Sequence, residues 1–114
     1  MLSALRDAIR AHQSLYLKAG ILHRDILENN IIITDLRTAN GFTGMLMDLD
    51  LAKPLRSGRT GARHQTGTVK FMAVQVLREV AHTYRHDLDS FLYVLLCVCC
   101  RQVWEQKFLC RPYK

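Results

Sequence analysis

Nowhere in the 114 residues is there an internal repeat, a low-complexity tract or an apolar run long enough to cross a bilayer. Each absence removes a class of function. The four cysteines are Cys97, Cys99, Cys100 and Cys110, and three of them crowd into one apolar run. Cys97 and Cys100 stand at C-x-x-C spacing but no second such pair accompanies them, which indicates neither a zinc site nor a disulfide framework, so reduced thiols in a core are expected. The apolar stretch Phe91 to Cys100 falls far short of the ~20 residues a spanning helix needs, and is expected to be a buried core helix. Met1 to Asp7 lack the basic start and apolar block of a secretion signal. The expectation is therefore an intracellular protein, cytoplasmic or nuclear, with no membrane partner.

What is present is ordinary for one globular domain: 49% hydrophobic and 23% charged residues. The formal charge of +6 and the pI near 9.5 favour anionic partners. Nucleotide phosphates, nucleic acids and acidic peptides all fit that sign.

Leu2, Leu5, Ile9, Tyr16 and Ala19 recur at steps of three, four and seven, which predicts a helix with one apolar face. His12 falls on that stripe and is expected to be a partly buried helix histidine. Gly20 is placed to take the left-handed conformation that ends the helix. After an irregular stretch, the β-branched run Ile31-Ile32-Ile33-Thr34 predicts a strand, and Met45-Leu46-Met47 a returning strand across a loop holding Asn40-Gly41. Lys53 to Thr68 combines Pro54, three glycines, three hydroxyl residues ahead of Thr68 and several basic groups, which predicts a long loop. A second helix is expected from about Asp87 to Gln102, apolar nearly all round and so buried on most sides.

Three polar segments interrupt this pattern: His23 to Asn30, Asp48-Leu49-Asp50, and Gly67 to Gln75. The hairpin can bring Asn30 near Asp48. An amide oxygen and a carboxylate from those positions make a hard-oxygen pair suited to Mg²⁺, with water and phosphate completing the shell. Asp25 lies five residues before Asn30, close to such a metal without being forced to ligate it. A base that orients a hydroxyl in phosphoryl transfer must sit there.

His23-Arg24-Asp25 followed by four residues and Asn30 resembles the protein-kinase catalytic loop, with Asp48 in the place of the metal-binding Asp. Gly67-Thr68-x-x-Phe71-Met72-Ala73 resembles the end of an activation segment. Ile21-Leu22-His23-Arg24-Asp25-Ile26, Asn29-Asn30-Ile31, Asp48-Leu49-Asp50-Leu51-Ala52 and His86-Asp87-Leu88-Asp89-Ser90 are together similar to the fungal-type protein kinase family. The likeness runs from the first helix through about Arg101. It implies an α+β fold: a protein-kinase-like lower (C-terminal) lobe, mainly helical, with one short β-hairpin and a long activation-type loop. Residues 1–103 would be the partial kinase domain and 104–114 a tail.

The resemblance also implies roles. Asp25 would accept or orient the substrate hydroxyl, and Asn30 and Asp48 would hold Mg²⁺–ATP. Arg24 would pair with a phosphate or carboxylate on the activation segment, and Thr68 would hydrogen-bond near Asp25. Asp87 would hold the backbone around His23 and Arg24. Ile32, backed by Ile31 and Ile33, would form the lower wall of the adenine pocket. The partners implied are ATP and a protein substrate of Ser/Thr type, and oligomeric state is not implied.

Departures from the general kinase pattern accompany the match. Leu27 replaces a lysine common two residues after the catalytic Asp. Asp50 stands where most kinases have Gly, giving up backbone freedom. Val74 and Gln75 replace the Pro and Glu of Ala-Pro-Glu, so an ion pair that braces the segment is not expected to form. Within these 114 residues there is no glycine-rich loop, ATP-anchoring lysine or partner glutamate. Lys53, Arg56, Arg59, Arg63 and Lys70 occupy a stretch without acidic residues. That is either a solvated basic loop or a phosphate-regulated segment with Ser57, Thr60 or Thr66 as acceptors. No aromatic residues interleave with these charges, which disfavours nucleic-acid binding. Two other readings stand beside the kinase: a non-catalytic interaction module or degenerate pseudokinase remnant, and a small-molecule phosphotransferase. Arg24 and the Gly-Thr-x-x-Phe-Met-Ala stretch argue against the last, because a peptide-binding segment needs them.

Overall fold

A computed structural model describes residues 1–35, 37, 41–56 and 68–109, the last three of these by backbone alone. Helix α1 covers Leu2–Ser14 and continues as a widened π turn, Leu15–Ala19. Gly20 ends it with φ 63° and ψ 39°, the left-handed geometry glycine adopts without a Cβ penalty. The buried stripe of α1 is Ala4, Asp7, Ala8 and His12, with Leu5 and Ile9 packed at its edge and Leu2 exposed. Small residues at the centre let the neighbouring strand come close. A Cβ added to Gly44 would lie 2.1 Å from the Ala4 carbonyl oxygen.

Strands β2 (Ile31–Ile33) and β3 (Gly44–Leu46) form the expected antiparallel hairpin, with Ile31 opposite Leu46 and Ile33 opposite Gly44. A second antiparallel ladder joins β1 (Ile21–Leu22) to β4 (Lys53–Pro54). The single hairpin is as expected, and this long-range ladder is an addition to it. Both strands are two residues long and one contains proline, so neither carries a periodic signal. Helix α2 is the short Val74–Leu77, and α3 runs Tyr84–Leu109, longer at both ends than expected.

The core gathers Ala8, Ile26, Phe71, Phe91 and Val94, with Leu27, Ile31 and Leu46 packed against it. A second cluster holds Met72, Ala73 and Val76. Burial of α3 on most sides does not hold: Leu92, Leu96, Val103 and Trp104 are at least half exposed. Cys99 and Cys100 are exposed rather than in a core. At ~1.5 Å rise per residue α3 extends about 39 Å, and α1 and the Val69–Phe71 turn pack against it. Among the described residues no helix is long and apolar enough to cross a membrane.

Asp7 secures the α1–β3 approach. Its Oδ2 accepts from the Thr43 amide at 2.8 Å and from the Thr43 hydroxyl at 2.9 Å, and Arg6 donates to Oδ1. Gly44→Ala is expected to force α1 off the strand and cost about 1–3 kcal/mol, the range for overpacking a close contact. Urea denaturation followed by circular dichroism measures it, and an unchanged midpoint would mean the helix yields freely.

Candidate functional site

The two ladders bracket two loops. β1 and β2 bound residues 23–30, while β3 and β4 bound residues 47–52. Because β1 pairs with β4 and β2 with β3, the loops lie side by side. Met47 links them directly. Its N–H donates to the Asn30 carbonyl at 2.8 Å, and its own carbonyl accepts from His23 Nε2 at 2.8 Å. His23 is fully buried, and its Nδ1 accepts the Asp25 N–H at 3.3 Å, so Nε2 carries the proton given to Met47. The residue before Asp48 is thus gripped by both ends of the first loop.

Asp25 sits at the centre. Its Oδ1 accepts from the Thr68 N–H at 2.9 Å and the Thr68 hydroxyl at 3.1 Å. Asn30 is buried, and its Nδ2 donates to the Asp25 carbonyl at 2.9 Å and to Oδ2 at 3.3 Å. These bonds orient the Asn30 amide and leave its oxygen as the acceptor end. Asp48 is exposed, and its Oδ1 accepts the Asp50 N–H at 3.1 Å. Arg24 and Asp48 take φ of 70° and 64°, a region that favours glycine, whereas Asp50 does not. The expected loss of backbone freedom therefore falls two residues earlier, on the carboxylate itself. Two non-glycine residues held this way in adjoining loops are the kind of local strain that gathers at functional sites.

Asp87, in the first turn of α3, anchors the loop from behind. The His23 N–H reaches its Oδ2 at 3.0 Å and the Arg24 N–H its Oδ1 at 3.1 Å. Burial pushes this carboxyl up, but hydrogen bonds and charge from His12 and His82 outweigh that and hold it well below the usual carboxylate range. His12 is not partly buried but fully so, bonded to Oδ2 at 2.8 Å, and His82 reaches Oδ1 at 2.7 Å. Gln75, in the place of an ion-pairing glutamate, accepts instead from His86 Nε2 at 2.9 Å, while His86 Nδ1 accepts from the Thr83 N–H. Burial, with His82 alongside, pushes the His86 imidazole down, consistent with that neutral arrangement. The segment is braced by an uncharged bond.

The structure therefore brings Asp25, Asn30, Thr68, His23, Arg24 and Asp87 together, with Asp48 adjoining through Met47. Ile32 stands apart on β2, opposite Met45 and 39% exposed. Ser57, Thr60 and Thr66 lie outside the described residues. Sequence reasoning missed His12 and His82 as partners of Asp87. The only available signal was that His12 falls on the buried stripe of α1. Among the described residues no three His, Cys, Asp or Glu side chains converge on a metal site. Mg²⁺ does not need such a cage, since one or two protein oxygens with phosphate and water suffice. The oriented Asn30 oxygen and the exposed Asp48 carboxylate fit that requirement.

Two carboxylates link the site to acid stability. The Thr43 amide and hydroxyl, opposed by burial and helped by Arg6, hold Asp7 at about 2. Both Asp7 and Asp87 lie below the ~3.9 of an unfolded aspartate. Between those values the unfolded chain binds more protons, so stability present above about pH 4 is lost as pH falls toward 2. Urea midpoints are expected to be level near neutrality and to drop across that window. A midpoint that rises on acidification would contradict both contacts.

The fungal protein kinase family profile matches residues 1–99. The chain is 27% identical over 85 residues to "Probable serine/threonine-protein kinase gdt4" of Dictyostelium discoideum, covering 75% of this chain and 5% of that protein. It is 35% identical over 82 residues to "Serine/threonine-protein kinase Nek9" of Xenopus laevis, covering 69% of this chain and 8% of that protein. The aligned part is thus a small share of either relative's length.

Proposed function

The chain belongs to the fungal protein kinase family, and on that premise we propose that it is the lower-lobe part of a Ser/Thr-type protein kinase. In this reading residues 1–103 are the partial kinase domain, and the protein works inside the cell. The observation that carries the proposal is the Asp25 carboxylate, held by Thr68 on one oxygen and by Asn30 on the other. Oδ1 already accepts two hydrogen bonds. Oδ2 accepts one long one and is the oxygen left to receive a substrate hydroxyl.

As that hydroxyl oxygen bonds to the γ-phosphorus of ATP, its proton passes to Asp25 and the bond to the β–γ bridging oxygen breaks, leaving ADP. Asn30 and Asp48 would hold Mg²⁺, which when bound would supply charge neutralisation at the phosphates. Thr68 keeps Asp25 from rotating. Arg24 meets a phosphate or carboxylate on the segment that holds Ser57, Thr60 and Thr66, and Ile32 floors the adenine. A non-catalytic role is favoured by one observation: Leu27 packs against the core, where a lysine would have reached the transferring phosphate.

The test joins the chain to a kinase upper lobe and supplies radiolabelled ATP, Mg²⁺, a generic protein substrate and small-molecule alcohols. Phosphoserine or phosphothreonine on the protein is expected. Label on the alcohols would indicate the small-molecule class, and no label from a folded fusion would favour the non-catalytic role.

A further inference from the structure

Every acceptor position of Asp87 is occupied, and in a two-plus-two pattern. Oδ1 takes the Arg24 N–H and His82 Nε2, while Oδ2 takes the His23 N–H and His12 Nε2, with the Arg24 N–H also reaching Oδ2 at a longer 3.4 Å. A carboxylate offers about four lone-pair sites, so none is left. The torsion that orients a free carboxylate is broad and two-fold. Something must therefore fix it if its inner lone pairs are to aim at two consecutive backbone N–H groups.

We infer that His12 and His82 are positioning residues for the His23–Asp25 turn, acting through Asp87 by holding the outer side of each carboxylate oxygen. Both rings are themselves held. His12 stacks on Tyr84 at 4.9 Å and 19° and meets the edge of Phe91 at 5.5 Å. His82 crosses His86 at 5.7 Å and 87°, and His86 is tied to Gln75 of α2. The orientation of Asp87 is thus set from α1 on one side and from the α2–α3 connection on the other. A shift of the segment that carries Thr68 and Gln75 is transmitted through His86 and His82 to the Arg24 backbone. This linkage would strain or relax the left-handed Arg24, and with it the approach of Asp25 to Thr68. Its value for catalysis rests on the kinase reading, whereas the geometry does not.

Amide hydrogen exchange in the isotope-labelled chain tests it. In His82→Leu, exchange at the Arg24 N–H is expected to speed up about tenfold or more, the scale of one lost bond to a charged group. The Thr43 N–H, bonded to Asp7 and not to Asp87, reports global opening and should change much less. His82→Gln, which returns a donor within reach of Oδ1, is expected to restore Arg24. Unchanged exchange at Arg24, or equal acceleration at Arg24 and Thr43, would overturn the inference. Should the leucine variant not fold, imidazole ¹⁵N spectra of the unaltered chain decide. Protonated Nε2 in both His12 and His82 is required, and an Nε2 without a proton in either ring refutes it. Failure of phosphoryl transfer would not alter either readout, so the two proposals fail separately.

Discussion

Asp25→Asn, in the chain joined to a kinase upper lobe, is expected to lower phosphoryl transfer by about 10²–10⁴-fold, the usual contribution of a positioned general base. The substitution is nearly isosteric, and its carbonyl oxygen can still accept from the Thr68 N–H and hydroxyl. What it loses is the second acceptor oxygen, the one facing Asn30 Nδ2 at 3.3 Å. An amide nitrogen there cannot take a proton from a substrate hydroxyl, and it presents a donor to the Asn30 donor. Asp25 is only partly buried, so stability should change by less than about 1 kcal/mol. Steady-state rates together with a urea midpoint separate the two effects. A rate within about threefold of the parent would remove Asp25 from the chemistry.

Asp87→Asn is expected to be the most damaging single change to the fold. Four donors converge on a carboxylate that is fully buried. An asparagine offers one oxygen and turns an N–H₂ group toward two of them. Removing one partner of a buried charged network costs about 3–5 kcal/mol, against about 5–15 kcal/mol for a whole domain. The loss adds to a cost already present, since His12 Nδ1 is buried with no hydrogen-bond partner among the described residues. The variant should be largely unfolded at 37 °C by circular dichroism. A urea midpoint shift worth less than about 1 kcal/mol would show that the network is not what holds the loop.

The parts of this fold legible from sequence are those with a local cause. Gly20 ends the first helix because a left-handed residue was needed, and Ile31–Ile33 pair back because β-branched residues favour a strand. The closeness of Asp25 to Asn30 followed from their spacing in one loop, whereas that of Thr68 was implied only by the resemblance to a kinase activation segment. Other features have no local trace. The β1–β4 ladder is two residues long on each side. His12 and Asp87 are 75 residues apart in sequence, and nothing near either one announces the other. Composition made α3 apolar but did not say which side is covered, so Leu92 and Leu96 were expected inside and lie exposed. The glycine-favouring φ lies at Asp48 rather than at Asp50, next to Met47, whose N–H and carbonyl are bonded to Asn30 and His23.

The central claim is that the adjoining loops 23–30 and 47–52 form the lower half of an Mg²⁺–ATP site. Titration of the labelled chain with Mn²⁺–ATP tests it most directly, because paramagnetic broadening detects weak, short-lived binding. Broadening is expected first at Asn30 and at Asp48 to Asp50, with the Thr43 amide unaffected. It should disappear in an Asp48→Asn variant and on removal of the nucleotide. Broadening confined to other acidic residues, or none at Asn30 and Asp48 at millimolar Mn²⁺–ATP, would contradict the claim.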